Sequence, residues 1–182
     1  MARTKKNKLN RIEHINSKIN INTSTNCNNC PMRLYTKDKH IVMGVGNIHS
    51  NYVFILPVYD DKTYETIIKI LQEEFVKLKG KELFEIVYVT RIIKCFGSND
   101  FDIRLSAVKY CSNVLNYELR HIKQKNIIVF GSVYDGLELY INNIPNIKNR
   151  NIIHIYDPIV MYYDNDKIRK NFLEQLDNAI IL

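Results

Sequence analysis

The sequence predicts an α/β fold: a three-layer α/β/α arrangement around a mainly parallel, four-stranded central sheet. Three observations predict it. Four short apolar runs recur along the chain, amphipathic stretches at helical spacing lie between them, and each run stops at a turn residue. Strands that alternate with helices form βαβ units, which place their strands parallel in one sheet.

The elements follow in order. Residues 1–25 read as a basic, polar lead-in with little to bury, apart from a short helix around Arg11 to Lys18. Tyr52-Val53-Phe54-Ile55-Leu56 is apolar throughout and ends at Pro57, as a strand covered on both faces does. Thr63 to Lys79 repeats apolar residues at Ile67, Ile68, Leu71, Phe75 and Leu78, a helical stripe that stops at Gly80. Glu85 to Thr90 is the second buried strand. Asp102 to Lys123 is a long helix with Leu105, Val108, Cys111, Leu115, Leu119 and Ile122 on one side. Asn126 to Phe130 is the third strand, closed by Gly131-Ser132, and Tyr134 to Tyr140 reads as a short helix. Asn151 to Tyr156 is the fourth strand, ending at Asp157-Pro158. Asp166 to Ala179 closes the fold with Ile168, Phe172, Leu173 and Leu176 inward. Residues 26–182 are expected to form one domain, and no internal repeat divides them.

With 182 residues, 46% of them hydrophobic and 25% charged, the chain suits one globular domain. No apolar run approaches the roughly 18 residues of a membrane span, and no apolar stretch follows the basic start as in a signal peptide. A cytoplasmic protein is expected, in a host cytoplasm if the source is viral. The abundance of Asn, Ile and Lys fits A/T-rich coding of the kind many phages show. Of the net charge of +7, Arg3, Lys5, Lys6, Lys8 and Arg11 supply +5 within the first twelve residues, leaving +2 for the remainder. Such a tail is either an arm for nucleic acid or a protein partner, or a solvated terminus.

The strand ends gather the residues that would line a ligand site, because ligands of open α/β sheets bind beyond the carboxyl ends of the strands. Here these are Pro57, Tyr59, Asp60 and Asp61, then Arg91, then Gly131, then Asp157. Asp60 and Asp61 read either as carboxylates for chemistry or as the cap of the helix that follows. Arg91 reads as an ion-pair partner of Asp157 or as a phosphate binder.

Four cysteines complete the inventory. Cys27 and Cys30 form a C-x2-C pair, Cys95 follows the second strand, and Cys111 lies 16 residues later in the long helix. A C-x2-C turn points two thiolates at one centre. Reducing compartments disfavour disulfides, so the cysteines read as a metal site or as unconnected loop and core thiols. Zinc prefers two close pairs.

The same residues resemble the iron–sulfur uracil-DNA glycosylases of family 4. Asn26-Cys27-x-x-Cys30, Gly44-x-Gly46-Asn47 ahead of an apolar strand, Val87 to Cys95, and Asn126 to Gly131 are similar to that family's segments in order and spacing. The resemblance spans about Asn26 to Ile180. It implies a glycosylase-like fold in which Cys27, Cys30, Cys95 and Cys111 hold a [4Fe-4S] cluster, with zinc as the alternative. Three family motifs depart. The Gly-Glu-x-Pro-Gly loop is replaced by Pro57-Val58-Tyr59-Asp60-Asp61, without the glycines. The base-reading Asn after the strand Thr is Arg91, which accepts no hydrogen bond. The His-Pro motif is Asp157-Pro158, whose carboxylate has the wrong sign to stabilise a departing uracil anion. His154, inside the strand pattern, reads as a packed residue. The expectation is a non-catalytic glycosylase-like protein, a DNA-associated or protein-docking subunit of, for instance, phage replication or transcription machinery. A glycosylase of altered specificity and an architectural component are the alternatives.

Overall fold

The computed structural model describes residues 27–36, 41–95, 98, 100–122, 125–131, 147 and 150–181. The basic tail with Arg3, Lys5, Lys6, Lys8 and Arg11, the helix expected at Arg11 to Lys18 and the one expected at Tyr134 to Tyr140 lie outside them.

Among the described residues the sheet has five strands, not four. They are β1 (Val45–Gly46), β2 (Tyr52–Leu56), β3 (Val87–Arg91), β4 (Asn126–Phe130) and β5 (Asn151–Ile155), in spatial order β1-β3-β2-β4-β5. The four expected strands are mutually parallel, while β1 pairs antiparallel with β3 and makes the sheet mixed. Two residues are too few to show periodicity, and Gly44 and Gly46 disfavour a strand on propensity. Their smallness is what the pairing needs. A Cβ on Gly46, which has φ +116°, would lie 2.3 Å from the Val87 carbonyl oxygen, and one on Gly44 would lie 2.5 Å from that of Val89.

Among the described residues, four helices pack on this sheet: α1 (Asp61–Lys79), the single turn α2 (Leu83–Ile86), α3 (Phe101–His121) and α4 (Asp166–Ala179). The pleat of β2 sends Val53 and Ile55 to one face and Tyr52, Phe54 and Leu56 to the other. On the first face they join Tyr88, Ile127 and Val129 under Val108, Cys111, Leu115 and Leu119 of α3. On the second they join Val87, Val89, Ile128 and Phe130 under Ile67, Leu71 and Phe75 of α1 and Phe172 and Leu176 of α4. Helices therefore cover both faces, which explains why the central strands are apolar without alternation. β5 is less buried along its length than the central strands.

Element boundaries differ where capping decides them. α1 starts at Asp61 rather than Thr63, because the Asp60 carboxylate accepts from the Thr63 N–H at 2.8 Å and from its hydroxyl at 2.9 Å. It stops at Gly80, which takes φ 64° and donates to the Val76 carbonyl. The strand expected from Glu85 begins at Val87, since Leu83 to Ile86 coil into α2 first. Asp100 caps α3, so that helix starts at Phe101 and ends at His121, short of Lys123. β5 stops at Ile155, and Pro158–Tyr162 forms a 3-10 turn that the sequence pattern did not suggest.

The Asp60 cap carries a pH dependence. The bond from the Thr63 N–H is the largest of the influences holding its carboxyl below the usual Asp range. Between the native and unfolded pKa values the unfolded chain binds more protons, so stability rises with pH across that window. The contribution is complete above the unfolded pKa of about 3.9 and fades as pH falls through the native value. Asp60→Ala is expected to cost about 1 kcal/mol at neutral pH. Urea melts at pH 7 and at pH 3 should show the difference between the two proteins shrinking at the lower pH.

Candidate metal centre and strand-end crevice

Three separate segments supply the four cysteines, and three of these meet at one core. Pro31–Leu34 forms a 3-10 turn directly after Cys30 and packs on α3, which carries Cys111. Cys30, Met32 and Cys111 share the first core, and Cys95, just past the end of β3, packs against it. All four thiols are free. Burial raises the Cys95 thiol to about 12, and the other three cysteines raise it further than burial alone would. Burial likewise lifts Cys111 to about 11, with Cys30 and Cys27 adding repulsion. Cys95 and Cys111 thus feel the other sulfurs near them, and Cys30 feels Cys27.

Backbone amides already point at two of these sulfurs. The Met32 and Arg33 N–H groups donate to Cys30, and the Lys94 N–H donates to Cys111, each favouring the thiolate. Hydrogen bonds to sulfur are what orient and tune thiolate ligands. Among the described residues, no group of three or more His, Cys, Asp or Glu side chains stands in a geometry that holds a metal ion. The chemistry of the donor set nonetheless suits a cationic centre. Four thiolates at such proximity repel one another, and a bound metal both deprotonates thiols and cancels that repulsion.

Beside this constellation lies a polar network that the sequence reading missed. Glu118 of α3 and Lys94 are 0% and 1% exposed, yet they form an ion pair. One carboxylate oxygen accepts from the Gly44 N–H at 2.6 Å and the Tyr88 hydroxyl at 2.7 Å. The other accepts from the Thr90 hydroxyl at 2.7 Å and from the Lys94 ammonium, which also donates to Thr90. Burial pushes the Lys94 ammonium down and Glu118 pulls it back up. A buried pair survives only with such added bonds. The signal was present in the spacing: Glu118 falls three residues after Leu115 and four before Ile122, on the inward stripe of α3.

The second site is the crevice at the strand ends. The connection after β2 leads to β3 on one side, and that after β4 leads to β5 on the other. The order therefore reverses between β2 and β4, the place where open α/β sheets take their ligands. From β2 come Pro57, which is buried, and the half-buried Tyr59 and Asp60. The Tyr59 hydroxyl donates across the crevice to Asp157. The same Asp157 oxygen accepts from the Ile159 N–H at 2.8 Å and caps the 3-10 turn. Gly131, at φ 66°, permits this, since a Cβ there would sit 3.1 Å from the Asp157 side chain.

Arg91, 6% exposed, has its guanidinium 4.5 Å from the centroid of the Tyr64 ring. Burial pushes it down, while Tyr64, Asp61, Cys95 and Cys111 favour its charge. It therefore stands between the crevice and the cysteines. Asp61 is exposed at the rim, where desolvation raises its carboxyl and Arg91 opposes the rise. Arg104 in the first turns of α3 acts on Asp60 and Asp61 as well. It was not anticipated, although its spacing to Val108, Cys111 and Leu115 places it on the buried stripe. His154 lies within β5, opposite Val129 and half-buried.

No helix of the described residues is long and apolar enough to cross a membrane. Compared with known proteins, the chain matches no family model and no curated protein.

Proposed function

We propose that this chain is an iron–sulfur protein of uracil-DNA glycosylase type that binds rather than cleaves, serving as a DNA-associated or protein-docking subunit. The observation that carries the reading is that Cys30 and Cys111 share one buried core against which Cys95 packs, with Cys27 near enough to act on all three, although they come from three separated segments. The four cysteines would hold a [4Fe-4S] cluster, the commonest use of four thiolates in this spacing in the family the sequence resembles, with zinc as the alternative. When bound, the centre would supply a structural cross-link between the N-terminal turn, the end of β3 and α3.

The non-catalytic part of the proposal is supported by where the strand-end carboxylates are spent. Both oxygens of Asp60 are engaged by Thr63, and Asp157 is engaged by Tyr59 and the Ile159 amide. Asp60 caps α1 and Asp157 caps the 3-10 turn, the structural use of a carboxylate at such positions. The DNA-associated part is supported by the five cations of the first twelve residues. A phage replication or transcription complex is the setting we favour for such a subunit.

The test is anaerobic purification followed by metal, sulfide and absorbance measurement. About four irons and four sulfides per chain, with broad visible absorbance, are expected of the cluster. One zinc per chain and no colour would replace the cluster by the alternative metal, and a metal-free protein would end the reading. Binding to duplex and single-stranded DNA across a salt series then tests the DNA-associated part, since phosphate contacts weaken steeply with salt. Release of uracil from a uracil-containing duplex would overturn the non-catalytic part.

A further inference from the structure

Two arginines are buried where the strand ends open toward solvent. Arg91 finishes β3 at 6% exposure, and Arg104 sits near the start of α3 at 9% exposure. Both guanidinium groups act on the Asp61 carboxylate, which places them around one spot. Tyr64 supports Arg91 from below with its ring face. Asp100, Phe101, Asp102 and Asp61 are all exposed, so the spot borders open surface.

Arg104 is the informative member. Its Nε and Nη1 are buried with no hydrogen-bond partner among the described residues. Buried polar groups in native proteins are almost always satisfied, and an exception calls for a cause. The nearby acids do not satisfy it. Asp60 and Asp61 lie near enough to interact with its charge, but neither carboxylate bonds those two nitrogens. A single water would answer only one of the two donors. An oxyanion with several acceptor oxygens answers both, and arginine is the side chain best suited to phosphate.

We propose that Arg104, with Arg91 beside it, forms a phosphate-binding site at the carboxyl end of the sheet that takes the phosphate of a nucleotide unit. The assignment of that phosphate to DNA rests on the DNA-associated reading above; the anion site itself does not. In this site Tyr64 fixes the plane of one guanidinium, and the two arginines meet the phosphate from β3 and from α3.

The probes are inorganic phosphate and a single-stranded oligonucleotide carrying either a 5′-phosphate or a 5′-hydroxyl, titrated calorimetrically into the full chain at fixed ionic strength. Wild-type protein is expected to bind inorganic phosphate, Arg104→Ala to lose at least about tenfold in affinity, and Arg104→Lys to retain part of it. A preference for the phosphorylated oligonucleotide assigns the site to a strand end. Equal weakening of both oligonucleotides in Arg104→Ala assigns it to the backbone. Should Arg104→Ala fail to fold, the wild-type melting temperature in phosphate against chloride of equal ionic strength decides, with a rise in phosphate expected. No binding of phosphate and no such rise, or unchanged affinity in a folded Arg104→Ala, overturns the site. Phosphate binding through Arg104 with oligonucleotide binding indifferent to it keeps the site and removes its assignment to DNA.

Discussion

Cys111→Ser is expected to take iron and sulfide, about four of each per chain in the proposed cluster, to near zero. Cys111 sits on α3 among buried residues and receives the Lys94 amide, so a serine there keeps the shape but offers a much harder, poorly ionising donor. The centre would tie residues separated by 65 to 84 positions in the sequence, from Cys27 and Cys30 to Cys95 and Cys111. Cross-links that close long loops restrict the unfolded chain, and the comparable loss of a native disulfide costs about 2–5 kcal/mol. For a chain of this size that corresponds to a fall in melting temperature of roughly 5–20 °C. The measurement is a thermal melt under anaerobic conditions beside metal analysis of the same sample. Unchanged iron in Cys111→Ser would remove this residue from the ligand set and leave the other three without a fourth partner.

Glu118→Ala is expected to be the most damaging single change outside the cysteines. It deletes four accepted hydrogen bonds at once and leaves the Lys94 ammonium, two hydroxyls and the Gly44 amide without their acceptor. Breaking a buried ion pair from one side costs about 3–5 kcal/mol, against a total stability of about 5–15 kcal/mol for an ordinary domain. The double variant Lys94→Met with Glu118→Gln removes both charges and should cost less than Glu118→Ala alone. Urea unfolding of the wild type, Lys94→Met, Glu118→Gln and the double variant gives the coupling directly. Single and double costs that simply add, each below about 1 kcal/mol, would mean that the pair is not held in the interior as described.

Most of the scaffold could be read from pattern because the pattern is strong where burial is complete. Tyr52 to Leu56, Asn126 to Phe130 and the stripe of α1 are long enough for periodicity to speak, and Gly80 and Asp60 mark ends by backbone chemistry. What was missed had signals of another kind. β1 depends on two glycines that fit against β3, a matter of clearance that propensity opposes. Glu118 and Arg104 sit on an apolar stripe, and a reading that counts only apolar positions passes over them. At the candidate site, Tyr59 and Asp157 were both singled out, but their hydrogen bond joins residues 98 positions apart and follows from strand order alone. That Arg91 and Arg104 both act on Asp61 likewise follows from the folded packing and not from their spacing in the sequence.

The two residues of β1 also bear on how copies of this protein behave toward one another. A bare outer strand presents a row of N–H and C=O groups that can template a strand from a second molecule. Here Val45 and Gly46 engage the middle of β3 opposite Val89 and Tyr88. The Asn47 amide N–H then donates to the Val87 carbonyl at 3.2 Å, and the Asn47 side chain to that of Glu85. The chain departs after so short a ladder that little straight edge is left for another copy to extend. A brief, glycine-bearing margin of this kind is one way natural sheets discourage pairing at an edge.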